Sequence, residues 1–85
     1  MTMQFVTDYI ESKLLENEDF IRYTFYELRV KNNLSEEDVN DFLKINKNYF
    51  ENNGYYVYFT GERFVYQNNN RIVEPNELMI AIKVK

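Results

Sequence analysis

The side chains of this 85-residue sequence that could do chemistry gather at two places. One is Asn68, Asn69, Asn70 and Arg71, three amides and a guanidinium inside Gln67 to Glu77, a stretch whose composition marks it as a loop. Such a tip offers hydrogen-bond donors and a fixed positive charge to an anion, and it is equally the make-up of a solvated turn. The other is the carboxylate group Glu36, Glu37, Asp38 and Asp41. Neighbours on a helix point in different directions and no calcium-loop glycine accompanies them, so their expected role is to stabilise a helix N-terminus through its dipole. The chain has no cysteine and no histidine, which removes disulfides, thiolate chemistry and the commonest general base. It also lacks a phosphate-cradling glycine loop and any nucleophile beside a base. Catalysis, a bound metal and a cofactor are therefore not expected.

The elements that must position these groups are organised around Glu27 to Leu43. Leu28, Leu34, Val39 and Leu43 stand where two short helices meeting at a tight turn place their mutual contacts. Thr24 with Glu27 forms a capping box for one helix, and Ser35 with Asp38 a similar start for the next. The first of the pair is expected from Phe25 to about Asn32, ending at Asn32 and Asn33, which tolerate a left-handed backbone. The second is expected from Glu36 to about Asn52, burying Val39, Phe42, Leu43 and Phe50, with Gly54 closing it. Ahead of both, Phe5, Val6, Tyr9, Ile10, Leu14 and Leu15 recur at helical spacing within Met3 to Leu15, and Phe20 to Tyr23 reads as a short extended piece.

After Gly54 the period becomes two. Tyr55, Val57 and Phe59 alternate with Tyr56, Tyr58 and Thr60, and a turn at Thr60 to Glu62 leads to a second strand over Arg63 to Gln67. Pro75 then blocks a ladder position in the loop. In the last strand Leu78, Ile80, Ile82 and Val84 are expected to face the core, with Met79, Ala81, Lys83 and Lys85 on a partly solvated side. Tyr56, Tyr58 and Tyr66 admit stacking on a partner or, more commonly, cross-strand packing. No repeat or linker divides residues 1–85, so one α+β domain is expected.

A chain this short buries roughly 60 to 65 per cent of its unfolded surface, which leaves a thin core that a second subunit would thicken. With 45% hydrophobic and 18% aromatic residues it is nonetheless too apolar to be disordered. No run approaches a membrane span and the first residues lack the blocks of a signal peptide, so a cytoplasmic protein is expected. The net charge of −4 opposes simple nucleic-acid binding, but it is unevenly spread. Up to Gly54 six cations meet eleven anions, a balance of −5; from Tyr55 onward four cations meet three anions, a balance of +1. The abundance of Asn, Ile, Tyr and Lys fits AT-rich coding, as in a low-GC genome or a phage or plasmid within one.

The order helix, short strand, two helices at a turn, strand pair with a long loop resembles the winged helix-turn-helix superfamily, including its plasmid and phage members. Leu28, Leu34, Ser35, Val39, Leu43 and the Gly54 to Tyr55 junction carry the resemblance, and the segment from Leu43 to Gly54 is about one turn longer than the pattern. The resemblance implies three helices followed by a β-hairpin wing and a C-terminal strand, and binding of double-stranded DNA by the third helix and the wing. The third helix is poorly made for that, because Glu36, Glu37 and Asp41 would be repelled by phosphates. The expected contacts are instead Asn68, Asn69, Asn70 and Arg71 in an AT-rich minor groove, with Arg63, Lys83, Lys44 and Lys47 on phosphates, made by a homodimer. A protein partner in place of DNA, met by the acidic helix and exposed tyrosines, is the alternative.

Overall fold

A computed structural model describes residues 1–60 and 77–84. Helix α1 (Met3–Glu16) starts on Thr2, whose Oγ1 accepts from the Phe5 amide at 3.1 Å. It leads into strand β1 (Phe20–Thr24), a π-wound helix (Tyr26–Lys31), helix α2 (Glu36–Asn52), and strands β2 (Tyr55–Phe59) and β3 (Glu77–Lys83). The strands form an antiparallel sheet in the order β1-β3-β2, so the first strand pairs with the last.

The caps read from the sequence are formed. Thr24 and Glu27 exchange bonds, the Glu27 amide donating to Thr24 Oγ1 and the Thr24 amide to Glu27 Oε1, both at 3.1 Å. At the other end Asn33 is left-handed with φ 52°, and the Leu34 amide donates to the Leu28 carbonyl six residues back, one residue wider than the six-to-one bond that closes an α-helix. The helix between is wider than an α-helix: the Asn32 amide reaches back five residues to the Glu27 carbonyl, and Asn32 Nδ2 donates to the same oxygen at 2.6 Å. Asn32 Nδ2 also donates to Tyr9 Oη at 3.2 Å, so one asparagine secures the wide turn and ties it to α1. Ser35 caps α2 through the Asp38 amide at 3.1 Å, and Gly54 follows that helix at φ 85°.

Phe42 on α2 is the hub of the core. Its ring meets Tyr23 and Tyr9 edge-on, with centroids 5.1 and 5.5 Å away, and Phe5 at 6.2 Å. Val6 and Ile10 from α1, Leu28, Val39, Leu43 and Phe50 complete the layer that covers Ile21, Tyr23, Met79 and Ala81 on the sheet. Asn46 is fully buried within this layer and accepts from Tyr23 Oη at 2.6 Å.

Two expectations are corrected, and the sheet carries one irregularity. Leu15 is 90% exposed, because α1 turns it away from the stripe that Val6 and Ile10 place inside. The helix-facing row of β3 is Met79 and Ala81, not Ile80 and Ile82. Pairing sets this: Ala81 lies between Ile21 and Val57, and Met79 lies opposite Tyr23, all within the helix-side cluster. Ile80 forms a second small cluster with Phe20 and Ile82 on the other face, so the central strand is buried on both sides. Finally, the register shifts between Tyr23 and Thr24, a bulge that adds Leu78 to the core and brings Glu77 to within 3.1 Å of Arg22. The second strand expected over Arg63 to Gln67, the loop ahead of Glu77, and Tyr66 lie outside the described residues.

Candidate nucleic-acid interface

Of the residues expected to touch DNA, Lys44, Lys47 and Lys83 are described, while Arg63, Asn68, Asn69, Asn70 and Arg71 lie outside the described residues. Lys44 and Lys47 stand three residues apart on α2, the spacing of neighbours on one face. Lys47 Nζ is spent on Glu51 Oε1, one turn along, at 3.0 Å. Lys44 is exposed and has no carboxylate within 4 Å among the described residues; with Met1, Met3, Val6, Asp41 and Ile45 it lines a shallow cleft of about 330 Å³.

Lys83 is the last residue of β3, opposite Tyr55 on β2. Its amide donates to the Asp19 carbonyl at 3.0 Å, and its Nζ lies 3.6 Å from Glu18 Oε2. Tyr55 Oη donates to the Glu18 carbonyl at 2.5 Å, so the turn between α1 and β1 is fastened to the end of the sheet, and Lys83 belongs to that fastening. Burial raises the Tyr55 hydroxyl above its usual pKa, with the Lys83 charge opposing and Glu18 and Asp19 reinforcing. Three expected contacts thus have three different surroundings, and of these three lysines Lys44 alone makes no ion pair among the described residues.

The strongest electrostatic cluster is one that sequence spacing did not reveal. Lys13 Nζ sits 2.9 Å from Glu27 Oε2 and 3.1 Å from Oε1, and it donates to the Arg22 carbonyl at 2.9 Å. Tyr9 Oη donates to the same carboxylate at 2.8 Å. Burial, the bond to Glu27 and that residue's charge push the Tyr9 hydroxyl well up, and burial followed by the charges of Glu27 and Tyr9 does the same for Tyr23. Lys13 and Glu27 border a polar cleft of about 360 Å³ with Glu16, Asn17, Phe20, Arg22 and Thr24. Lys13 is held by the Glu27 carboxylate and the Arg22 carbonyl, and Arg22 Nε is 3.1 Å from Glu77 Oε1, so the arrangement joins α1, β1 and the π helix and reads first as a structural fastening. In the sequence Lys13 stands among the polar residues of α1; nothing local marks it as inward-facing.

Sequence reasoning also passed over Arg29 and Lys31. With Lys44 they are the cations that have no carboxylate within 4 Å among the described residues, and both lie on the π helix. Arg29 lies over the Phe25 ring at 5.8 Å. Beside them Phe25, Tyr26 and Val30 are 49%, 61% and 57% exposed. On β2, Tyr56 and Tyr58 are exposed on the sheet face opposite the helices, in register with Ile82 and Ile80.

Among the described residues no group of three acidic side chains is placed to hold a metal ion, and no helix is long and apolar enough to cross a membrane. Comparison with protein-family models, with curated proteins and with solved structures gave no significant match.

Proposed function

We propose that this chain is a winged-helix-like module that binds double-stranded DNA through the connection between β2 and β3, with an accessory or regulatory role on a plasmid or phage. The observation that carries the reading is the order of the elements together with the sheet order β1-β3-β2. In that arrangement β2 and β3 are antiparallel neighbours joined through residues 61–76, the stretch that holds Arg63, Asn68, Asn69, Asn70 and Arg71. The acidic start of α2 supports a contact made there and not by the helix, since Glu36, Glu37 and Asp41 are all exposed and would face phosphates. Arginine and asparagine amides read a narrow AT-rich groove by its shape and its acceptors, which needs fewer cations than a major-groove helix does. Lys44 supplies a phosphate contact from the middle of α2.

The test is a salt titration of binding to an AT-rich duplex, followed by fluorescence anisotropy, with Arg71→Ala alongside. The wild type should bind with an affinity that falls as salt rises, and Arg71→Ala should weaken binding by about tenfold or more, the loss of one good groove contact. Unchanged affinity in the variant removes residues 61–76 from the mechanism.

One observation favours a second reading. Lys47 and Lys83 are already paired with Glu51 and Glu18, so the described body offers no run of free cations along which a duplex could lie. Exposed aromatics are more plentiful than free cations, as on a surface that meets protein. A pull-down from host lysate after nuclease treatment separates the readings: one stoichiometric protein supports an interaction module, and recovery that depends on nucleic acid supports the first.

A further inference from the structure

We propose that the outer face of the π helix, with the adjoining start of α2, is a two-fold interface on which a second copy of this chain docks. Phe25, Tyr26 and Val30 close against the same residues of the second copy, and Arg29 and Lys31 meet Glu36, Glu37 and Asp41 across the axis.

The apolar part of this surface is a product of the unusual winding. With hydrogen bonds that reach five residues, side chains four and five positions apart share a face, so both Phe25 and Tyr26 lie beside Val30. Each of the three is about half exposed, while Leu28, on the other side of the same helix, is fully buried. The π helix and its N-cap Phe25 therefore put one apolar residue, Leu28, in the core and leave three large ones outside. A contiguous apolar patch on so small a domain marks an interaction site, and a thin core gains most from covering it.

The charges say what covers it. Arg29 and Lys31 have no carboxylate within 4 Å, and Glu36, Glu37 and Asp41 have no cation within 4 Å, among the described residues. Only Asn32 to Ser35 separates the two sets in the chain. A two-fold interface uses one patch on both subunits, and it needs a patch that carries both signs, so that each positive half finds a negative half after rotation. This surface meets that condition. An acidic segment of a foreign protein would satisfy Arg29 and Lys31 but would be repelled by Glu36, Glu37 and Asp41, and DNA would be repelled in the same way. A second copy satisfies both halves at once. Every residue named in this interface is among the described ones, and the interface stands independently of the DNA reading.

Sedimentation velocity on the full chain without DNA, from micromolar to millimolar concentration, tests the proposal. The wild type should shift from the 10.4 kDa species to one of twice that mass as concentration rises. The pair Arg29→Glu with Lys31→Glu, and separately Glu37→Lys with Asp41→Lys, should each stay monomeric, and an equimolar mixture of the two should regain the doubled mass. Tyr26→Ser, which leaves every charge in place and alters an exposed residue, should weaken self-association by about tenfold, with an unchanged circular dichroism spectrum. A wild type that stays at the single mass, a dimer indifferent to both reversals, a mixture that remains monomeric, or a Tyr26→Ser dimer as strong as the wild type would each overturn it.

Discussion

Tyr23 on β1 donates its hydroxyl to Asn46 Oδ1 on α2 at 2.6 Å, and both residues are fully buried. Asn46 Nδ2 donates in turn to the Phe42 carbonyl one turn earlier, at 2.8 Å. The sheet and the longest helix are therefore joined through a satisfied polar pair in the middle of an aromatic core, beside the ring that Tyr23 itself packs on. Removing one partner leaves the other desolvated and unmatched, so Tyr23→Phe and Asn46→Leu should each cost about 1–3 kcal/mol in urea unfolding. The double variant should cost less than the sum, and strict additivity would show that the two groups are not coupled.

Glu27 serves three contacts with one side chain. It caps the π helix through the Thr24 amide, pairs with Lys13, and accepts from Tyr9. Glu27→Ala should therefore destabilise the fold by about 3 kcal/mol, toward the lower end for breaking a buried pair because both partners keep some contact with water. Thr24→Ala removes only the reciprocal cap and should cost about 1 kcal/mol. Similar losses from the two variants, in chemical denaturation, would show that the cap is the main role of Glu27.

Gly54 isolates a backbone effect. Its φ of 85° is left-handed, and a Cβ there would meet nothing within 4 Å. Gly54→Ala should lose about 1 kcal/mol from conformation alone, and Gly54→Asn less, since asparagine tolerates that region. A larger loss in thermal or chemical unfolding would point to a steric role that the open surroundings do not provide.

The tyrosines set the alkaline limit of stability. Burial raises the hydroxyl pKa of Tyr9, Tyr23 and Tyr55 in the folded chain above the unfolded value of about 10. A raised folded pKa means that the folded state holds its proton while the unfolded state releases it. The stability is fully present below about pH 10 and is lost as pH rises beyond it. Melting temperature should fall steeply above that point, with tyrosinate absorbance from the buried rings appearing together with unfolding. Tyr23→Phe should flatten the fall; an unchanged slope would remove that residue from the effect.

Much of the local structure was legible before any fold was known. Ser35, Thr24 with Glu27, and Asn33 announced helix ends because a cap acts over three or four residues and needs nothing from afar. The stripe Val39, Phe42, Leu43 and Phe50 announced the buried face of α2 for the same reason, and the alternation in β2 put Tyr55 and Val57 on one face, which the structure turns toward the helices. The candidate site was less legible. Lys47 and Lys83 read as free cations until the distances to Glu51 and Glu18 were known, and Arg29 and Lys31 drew no notice because charge near a helix C-terminus is ordinary.

By itself, then, the sequence determined where the helices begin and end and that a strand-rich segment follows Gly54, since short-range hydrogen bonding and hydrophobic period decide those. Tertiary structure alone decided which face of β3 meets the helices. Leu78 to Val84 is apolar on both alternating faces, so the choice came from pairing with β1 and β2 and from the bulge at Leu78. It also decided that Lys13 and Asn46 turn inward, because their partners Glu27 and Tyr23 are distant in sequence and reach them only once the elements have packed.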